Sequence, residues 1–591
     1  MSLTLLLIIT AISVTAILIF MIHQIDEKAS YVKEKKGRAV ILIKLILILI
    51  LGVFINSSIS YGQRPLSWFV MQSILMYVTI VLLTWRVNSL DTFILPLIIV
   101  ALTSIAIISA QGTPIVHSDH WRDFAAAQLI IIDGNFWQAS ALMPTYNMPA
   151  PITEILVAVL SVLINVSLYH AYTILSILFP FLGTLILYIC IWKIFEKDRL
   201  ALVASALFIL SNPMLAFWSI SHQGFASLLS LTLFSLLLKK ERILITREKL
   251  YTFLILIAVI IMVHVSLVIA IISLLVSMIF LAVVKAMNGQ GKKSDIYMFF
   301  KLLTLVVVIT YTYWILTLIF EFILKFYVFR LMNQIQSPVA SFRLPALQTE
   351  NEYITLSYSI QVAFAASYVY WYLLKTLKKS KRNSYEDLSA YLAIIGGAIL
   401  LFAFLSFYKF GAWSDTRYLG VSAYICLLIP AIICFISLIR KGNMWVKILT
   451  ILIALMMLSS GSLSVNWAPD QYRTTTTRFP DAYGQTISSM IVKLIPDRST
   501  VSAVRGINDP LYYLALLDGK SYKHVPEFYH MLYNIKKGSK IEPEDIVRFI
   551  KPGELLVLDK ETFYPLLYYR SENDVKVNAL YVSTQYYIVS G

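Results

Sequence analysis

The chain has 591 residues, of which 59% are hydrophobic and 14% charged, and its mean hydropathy is +0.76. A soluble globular protein carries roughly 25% charged residues, so this composition excludes that class and predicts a polytopic α-helical membrane protein. The net charge of +16 does not indicate a nucleic-acid partner, because the basic residues lie in short loops between apolar runs, where they orient helices in a membrane.

Residues 1–110 form a region of N-terminal transmembrane helices. A loop with five basic residues follows the first apolar run and is predicted to face the cytoplasm. The fourth run then leads outward and places the next loop on the outer side. The predicted spans of this region are 3–22, 39–56, 66–85 and 91–110.

Residues 111–170 form the first large outer loop, which begins with a cluster of ionisable side chains. Such groups at a membrane surface are costly to hold without partners, so the cluster is a hypothesis for a functional site. Its members are His117, Asp119, His120, Arg122 and Asp123.

The apolar run 151–168 is predicted not to cross the membrane. The basic loops before and after it allow only an odd number of crossings between residues 150 and 239. The run follows Pro149 and Pro151 and contains Glu154 and Asn165, so it is expected to lie along the outer leaflet or dip into it.

Residues 171–464 contain the remaining transmembrane core, with a long outer loop at 321–352. The whole chain is predicted to have about 14 spans, with both termini outside. A loop as long as 321–352 is more often functional or mobile than structural, and we expect it to shape the entrance for a donor or an acceptor.

Residues 465–591 are polar, with Pro and Gly punctuation, and predict a soluble extracytoplasmic α/β domain. Four segments favour strands: VSAVRG, SYKHV, ELLVLD and NALYVSTQYYIVS, the last as one strand or two. DPLYYLALL and PEDIVRFI favour helices.

The order of these elements carries a family resemblance. Asp119 and Arg122 are followed by three alanines and then by Gly134 and Phe136; a charged turn at Glu196 and the sequence Asp415-Thr-Arg-Tyr come later. This layout over residues 110–440 resembles the GT-C superfamily of membrane glycosyltransferases, which includes lipid A aminoarabinose transferases, protein O-mannosyltransferases and oligosaccharyltransferases. Three additional spans before the loop, and His120 where some members have a second acid, depart from the family pattern.

The resemblance implies a catalytic acid in the first outer loop and a sugar donor carried on a polyprenyl phosphate. Asp119 is then the candidate general base, acting with inversion at the sugar carbon. The alternative role for Ser118 or Asp119 is to cap a helix beginning at His120. Asp123 is the second catalytic candidate; it could support the base, hold a metal, or form an ion pair with Arg122 or Lys409.

Arg417 is the first candidate ligand for the donor phosphate, since a guanidinium contacts phosphate oxygens in a bidentate way. Lys409 and Arg343 are further candidates, and an interfacial anchor is the alternative role for Arg417. The residues that could hold a metal or contact the acceptor are His117, His120, His222 and Glu350. The sequence leaves open whether a divalent cation, Mg or Mn, binds, because the spacing of these residues is not diagnostic.

The sequence therefore favours an enzyme of the plasma membrane that transfers a sugar to an extracytoplasmic protein, lipid or glycan. A polysaccharide polymerase or ligase that uses a lipid diphosphate would suit the same topology. A transporter or lipid flippase is the alternative from another class, although charged or broken helices near the midplane, which a transporter predicts, are mostly absent from the apolar runs.

Overall fold

The computed structural model describes twelve main stretches of the chain, together with short fragments. These stretches are 118–134, 152–195, 200–211, 222–237, 293–316, 352–377, 384–410, 413–466, 482–503, 554–559, 578–582 and 586–590. The described residues divide into two compact units. The first comprises 1–106, 144–150 and 175–466, and the second comprises 107–143, 151–174 and 467–591.

The helices of the first unit are apolar along most of their length. In chain order they are α3 (Leu168–Ile194), α4 (Leu200–Ser211), α5 (His222–Leu237), α6 (Lys293–Leu316), α7 (Glu352–Leu377), α8 (Ser384–Phe410), α9 (Trp413–Lys441) and α10 (Met444–Asn466). Residues 168–174 of α3 belong to the second unit, and the rest of the helix belongs to the first.

Helix α4 forms the centre of the first unit. All twelve of its residues are buried, and it packs against α9 and α10. The ring of Phe208 meets Phe364 of α7 and Phe435 of α9, with ring centroids 5.9 and 6.0 Å apart. Ser357 of α7 donates a hydrogen bond of 2.6 Å to the carbonyl oxygen of Ser211, where α4 ends. An aromatic cluster and a polar contact thus fix α4 to its neighbours.

Polar contacts join the end of α7 to the start of α8. Lys375 Nζ lies 2.8 Å from Glu386 Oε1 and 4.1 Å from the ring centroid of Trp371. Tyr372 donates a hydrogen bond of 2.7 Å to Asp387, and Tyr368 donates one to the carbonyl oxygen of Glu386. Because Glu386 and Asp387 lie in the first turn of α8, their negative charge is also stabilised by the helix dipole.

Three segments within the described residues are long and apolar enough to cross a membrane, judged by length and composition: Leu168–Trp192, Ile296–Tyr313 and Ala423–Lys441. They fall within α3, α6 and α9. Helices α7, α8 and α10 are 26, 27 and 23 residues long, and many of the other predicted spans lie outside the described residues. The structure therefore supports several apolar helices, while the total of about 14 spans stays a prediction.

The second unit contains helices α1 (Ser118–Asp133) and α2 (Ile152–Leu163), which pack against each other. Helix α2 has 12 residues and is about 18 Å long at 1.5 Å per residue. The hydrocarbon core of a bilayer is about 30 Å thick. The run 151–168 thus contains a helix of 12 residues, and its place along the outer leaflet stays a prediction.

The C-terminal part of the second unit contains helix α11 (Ala482–Leu494) and a four-stranded sheet. The strands are β1 (Thr500–Ala503), β2 (Glu554–Asp559), β3 (Asn578–Val582) and β4 (Tyr586–Ser590), in the order β1-β2-β4-β3.

Strands β1 and β2 are parallel, with Ala503 opposite Val557, and the other pairs are antiparallel. The strand predictions at VSAVRG, ELLVLD and NALYVSTQYYIVS are confirmed, the last as two strands. The predicted strand SYKHV and the predicted helix PEDIVRFI lie outside the described residues.

Candidate functional site

Helix α1 carries the ionisable cluster of the first outer loop. Its middle contains Ala125, Ala126 and Ala127, which have the highest helix propensity and are fully buried. Gly134 follows its last residue with φ of +65°, and its N–H donates to the Ile130 carbonyl oxygen at 3.0 Å. A left-handed glycine at this position ends a helix without steric strain, which explains why α1 stops there.

Asp119 lies in the first turn of α1, whose backbone begins at Ser118. An anionic group in a first turn is stabilised by the unpaired N–H groups and the positive end of the helix dipole. The side chains of Asp119 and His120 lie outside the described residues, as does the whole of His117. The structure therefore places the candidate base at a helix start without describing its contacts.

Asp123 is buried and paired with its neighbour Arg122. Nη2 and Nε of Arg122 lie 2.8 and 3.1 Å from Asp123 Oδ1, and the two side chains are 8% and 4% exposed. One of the alternatives weighed for Asp123, an ion pair with Arg122, is thus what the structure shows. Both groups are removed from bulk water, so their mutual contact holds each charge in place.

Helices α2 and α3 supply three further buried polar side chains. Thr153 and Glu154 of α2 are 1% and 0% exposed, and Tyr172 of α3 is 1% exposed. The hydroxyl of Tyr172 lies in the electrostatic field of Asp123, Glu154 and Arg122. Its ring contacts Phe124 of α1, with centroids 5.9 Å apart. The second unit therefore contains a polar cluster shared by three helices.

Sequence reasoning did not assign a site role to Glu154 or Tyr172. Glu154 was noted only as an acid in an apolar run, and Tyr172 was not singled out. The signal for Glu154 was present, because an ionisable residue within an apolar run is a functional hypothesis by default. Tyr172 carried no such signal, since its partners are 18 and 49 residues away and only the fold brings them near.

A tight turn fixes the start of α3 against α2. Asn165 has φ of +51°, and Val166 N–H donates to the Ser161 carbonyl oxygen at 3.1 Å, which closes the end of α2. Ser167 then accepts a hydrogen bond from the backbone N–H of His170 and caps α3. Because the turn is closed at both helix ends, Tyr172 is held at a defined distance from Glu154.

The remaining candidate residues fall in the first unit. His222, Lys409 and Arg417 have their backbones in α5, α8 and α9, and their side chains lie outside the described residues. Arg343 and Glu350 lie outside the described residues altogether. Arg417 is in the second turn of α9, near the positive end of its dipole, which is compatible with an anionic ligand.

The donor set for a divalent cation is incomplete in the described part of the chain. No group of three His, Cys, Asp or Glu side chains that could hold a metal occurs among the described residues. Asp123 is engaged by a guanidinium, which competes with a cation for its oxygens. A divalent cation in the first outer loop therefore stays one of the alternatives that the sequence left open.

Comparison with solved structures finds several similar chains. The chain is similar to ArnT from Cupriavidus metallidurans bound to undecaprenyl phosphate, with 11% identity and a TM-score of 0.44 over 85% of this chain and 98% of that one. It is also similar to the apo oligosaccharyltransferase of Archaeoglobus fulgidus, with 11% identity and a TM-score of 0.49 over 80% and 70% of the two chains.

A second structure of that oligosaccharyltransferase, in complex with Zn and sulfate, gives 12% identity and a TM-score of 0.44, over 71% of this chain and 61% of that one. Neither a protein-family profile nor a curated protein sequence matches the chain. At this level of similarity no residue role is transferred, and the function is argued from this chain's own residues.

Proposed function

We propose that the protein is a membrane glycosyltransferase that moves a sugar from a polyprenyl-phosphate carrier to an extracytoplasmic acceptor. The observation that carries the proposal is the placement of Asp119 in the first turn of α1, one turn before a buried Arg122–Asp123 pair. The buried pair anchors the helix that carries Asp119, and a general base must be positioned beside the proton that it removes.

In this reaction Asp119 removes the proton from the acceptor hydroxyl or orients an acceptor amide. The acceptor atom forms a bond to the anomeric carbon, the bond from that carbon to the phosphate oxygen breaks, and the polyprenyl phosphate leaves with the electron pair. Inversion at the sugar carbon follows from a single displacement. Arg122 and Asp123 hold the helix that carries the base.

The departing phosphate needs positive charge. Arg417 is the proposed phosphate ligand, with Lys409 and Arg343 as further cations. His117, His120, His222 and Glu350 are proposed to face the acceptor or a divalent cation. The apolar helices that are long enough to cross a membrane support a membrane protein, and the proposed location is the plasma membrane, where both a lipid carrier and its hydrocarbon tail are available. The C-terminal α/β domain is proposed to lie on the outer side, as the acceptor does.

The test measures sugar transfer by the full-length protein in detergent. Polyprenyl phosphates that carry different single sugars serve as donors, and an extract of the cell envelope serves as the acceptor source. The substitution Asp119→Asn should lower kcat by about 10²- to 10⁴-fold, the range expected on losing a general base. The donor should still raise the apparent Tm of the variant, since the phosphate ligands are unchanged.

Asp133→Asn is the matched control, because it makes the same change at the last residue of the same helix. It should retain kcat. Full turnover by Asp119→Asn would move the base to another residue. Absence of turnover by the unmodified protein with every donor, together with substrate flux across proteoliposomes, would replace the transferase by a transporter.

A further inference from the structure

Several helices of the first unit bring cations and aromatic rings together at one end of the bundle. Lys441 Nζ, in the last turn of α9, lies 5.8 Å from the ring centroid of Trp371 near the end of α7. Arg440 Cζ lies 5.2 Å from the ring centroid of Phe195, the residue that follows α3. The contacts of Glu386 described above bring the start of α8 to the same place. The ends of α3, α7 and α9 and the start of α8 therefore meet here.

Positive charge predominates at this end of the unit, which we call the basic end and define as residues 371–387 and 440–447. In the sequence the first range has five basic and two acidic residues, and the second has three basic and no acidic residues. One of the two acids, Glu386, lies 2.8 Å from Lys375 and is neutralised by it. The turn 196–199 adds two acidic and two basic residues, which leaves the balance unchanged. Excess charge of one sign attracts an ion of the other.

Large apolar side chains are exposed beside these cations. Helix α10 begins with Met444 and Trp445, which are 69% and 80% exposed. They follow Lys441, the exposed residue with which the apolar segment Ala423–Lys441 ends, and that segment is long enough to cross a membrane. Tryptophan and basic residues at the end of a membrane span are typical of the headgroup level, where an indole contacts lipid and a cation contacts phosphate.

The turn between α9 and α10 holds these two kinds of side chain in a fixed arrangement. The N–H of Gly442 donates to the carbonyl oxygen of Leu438 at 2.9 Å and closes the end of α9. Asn443 Oδ1 accepts a hydrogen bond of 3.0 Å from the N–H of Val446 and caps α10. Because both helix ends are closed by hydrogen bonds, the last residues of α9 and the first residues of α10 are presented together.

We propose that the basic end binds the phosphate headgroup of an anionic phospholipid. Arg440 and Lys441 are the cationic ligands, and Trp445 contacts the lipid below the headgroup. A guanidinium suits phosphate oxygens because it contacts two of them at once. Clusters of Lys and Arg directly after a membrane span are typical of such sites, and the positive-inside rule assigns this one to the cytoplasmic leaflet. The site does not depend on the proposed sugar transfer.

The exposed apolar residues favour a lipid over a soluble anion. A free phosphate ion would neutralise the cations and leave Met444 and Trp445 in water. A phospholipid neutralises the same cations with its headgroup and covers these side chains with its glycerol and acyl groups, which adds the burial of apolar surface to the electrostatic attraction.

The first test measures lipid binding by the full-length protein in dodecyl maltoside. Phosphatidylglycerol or phosphatidylcholine is titrated in, and native mass spectrometry counts the lipid that is retained. The double variant Arg440→Gln/Lys441→Gln should bind phosphatidylglycerol roughly 10- to 30-fold more weakly, since each basic residue near an anionic lipid contributes about fivefold. Phosphatidylcholine should bind weakly to both proteins.

Lys493→Gln/Arg498→Gln is the matched control, because it removes one Lys and one Arg that are exposed on the C-terminal domain. It should bind phosphatidylglycerol as the unmodified protein does. If Arg440→Gln/Lys441→Gln fails to fold, Lys441→Gln alone keeps the contact of Arg440 with Phe195 and should still weaken binding about fivefold.

The second test separates a lipid from a free phosphate. Phosphatidylglycerol should raise the apparent Tm of the unmodified protein, and inorganic phosphate at the same concentration should not. Trp445→Ala should weaken phosphatidylglycerol binding by about 3- to 10-fold, because it removes the interfacial indole and leaves the cations in place. Phe300→Ala, at a residue of α6 that is 59% exposed, is its control and should leave the binding unchanged.

Three results would overturn the inference. The first is equal binding of phosphatidylglycerol by the Arg440/Lys441 variant and its control. The second is binding of phosphatidylcholine as tight as that of phosphatidylglycerol. The third is a rise of Tm with inorganic phosphate equal to that with phosphatidylglycerol, which would assign the basic end to a soluble anion.

Discussion

Gly396 of α8 and Leu427 of α9 lie so close that a Cβ added at Gly396 would be 2.8 Å from Leu427 Cγ and 2.9 Å from the carbonyl oxygen of Ala423. The backbone oxygen cannot move aside, so the two helices pack through a position that only glycine fits. Close approach through small residues is a common way for membrane helices to associate.

Gly396→Ala should therefore destabilise the helix pair by about 1–3 kcal/mol, the usual effect of overpacking. Gly397→Ala is the matched control, because nothing lies within 4 Å of a Cβ at that position. It should leave stability unchanged or raise it by up to about 1 kcal/mol, since alanine favours a helix over glycine. The apparent Tm in detergent measures the stability of both variants. Equal values for Gly396→Ala and Gly397→Ala would contradict this packing.

Substitutions of Arg122 and Asp123 should have non-additive effects on the free energy of unfolding. Arg122→Met leaves a buried carboxylate without its cation and should cost about 3–5 kcal/mol. The double variant Arg122→Met/Asp123→Leu removes both charges and should be more stable than Arg122→Met alone.

The reference for this comparison is Arg498→Met, which removes a cation that is 84% exposed and 3.6 Å from Asp497. Its effect should be within about 0.5 kcal/mol. Chemical unfolding followed by tryptophan fluorescence gives the free energies. If the double variant loses as much free energy of unfolding as Arg122→Met and Asp123→Leu lose together, the two charges do not interact.

The charge of Lys375, rather than its aliphatic stem, should stabilise the fold. Lys375→Met removes the ion pair with Glu386 and the contact with the Trp371 ring, and leaves Glu386, whose side chain is 10% exposed, without that cation. Because Lys375 is itself partly exposed, we expect a loss of about 1–2 kcal/mol. Lys375→Arg keeps the charge and should retain most of the stability. Thermal unfolding at low and high salt should show that the difference between the two variants shrinks as salt is added.

Phe208 should be the most sensitive position of the aromatic cluster. Its side chain is fully buried and meets Phe364 and Phe435. Phe208→Ala leaves a cavity in the first unit and should lower stability by about 3–5 kcal/mol. Phe300→Ala, on the 59% exposed Phe300 of α6, is the control and should have a much smaller effect in detergent. Equal decreases of Tm for Phe208→Ala and Phe300→Ala would contradict a core role for Phe208.

Local features of this fold could be predicted from the sequence where the chain carries local signals. The three alanines favoured the helix α1, and the apolar run of ELLVLD predicted β2. In each case the decisive interaction lies within a few residues, so sequence patterns record it.

The contacts of the candidate site were harder to predict, because they join residues that are distant in the chain. The ion pair of Asp123 with Arg122 was one of several alternatives, and nothing in the sequence distinguished Arg122 from Lys409 as its partner. Tyr172 resembled any aromatic residue of an apolar helix. Its meaning comes from its distance to α1 and α2, which only tertiary packing determines.

The complete burial of α4 has a consequence for biosynthesis. Its twelve residues are enclosed by α7, α9 and α10, and α7 begins at Glu352, which is 141 residues after α4 ends. A nascent chain therefore contains α4 well before the ribosome has made the helices that surround it. During that interval the protein-conducting channel, a chaperone or earlier helices must shelter α4, and chains that terminate before residue 352 would expose it to quality control.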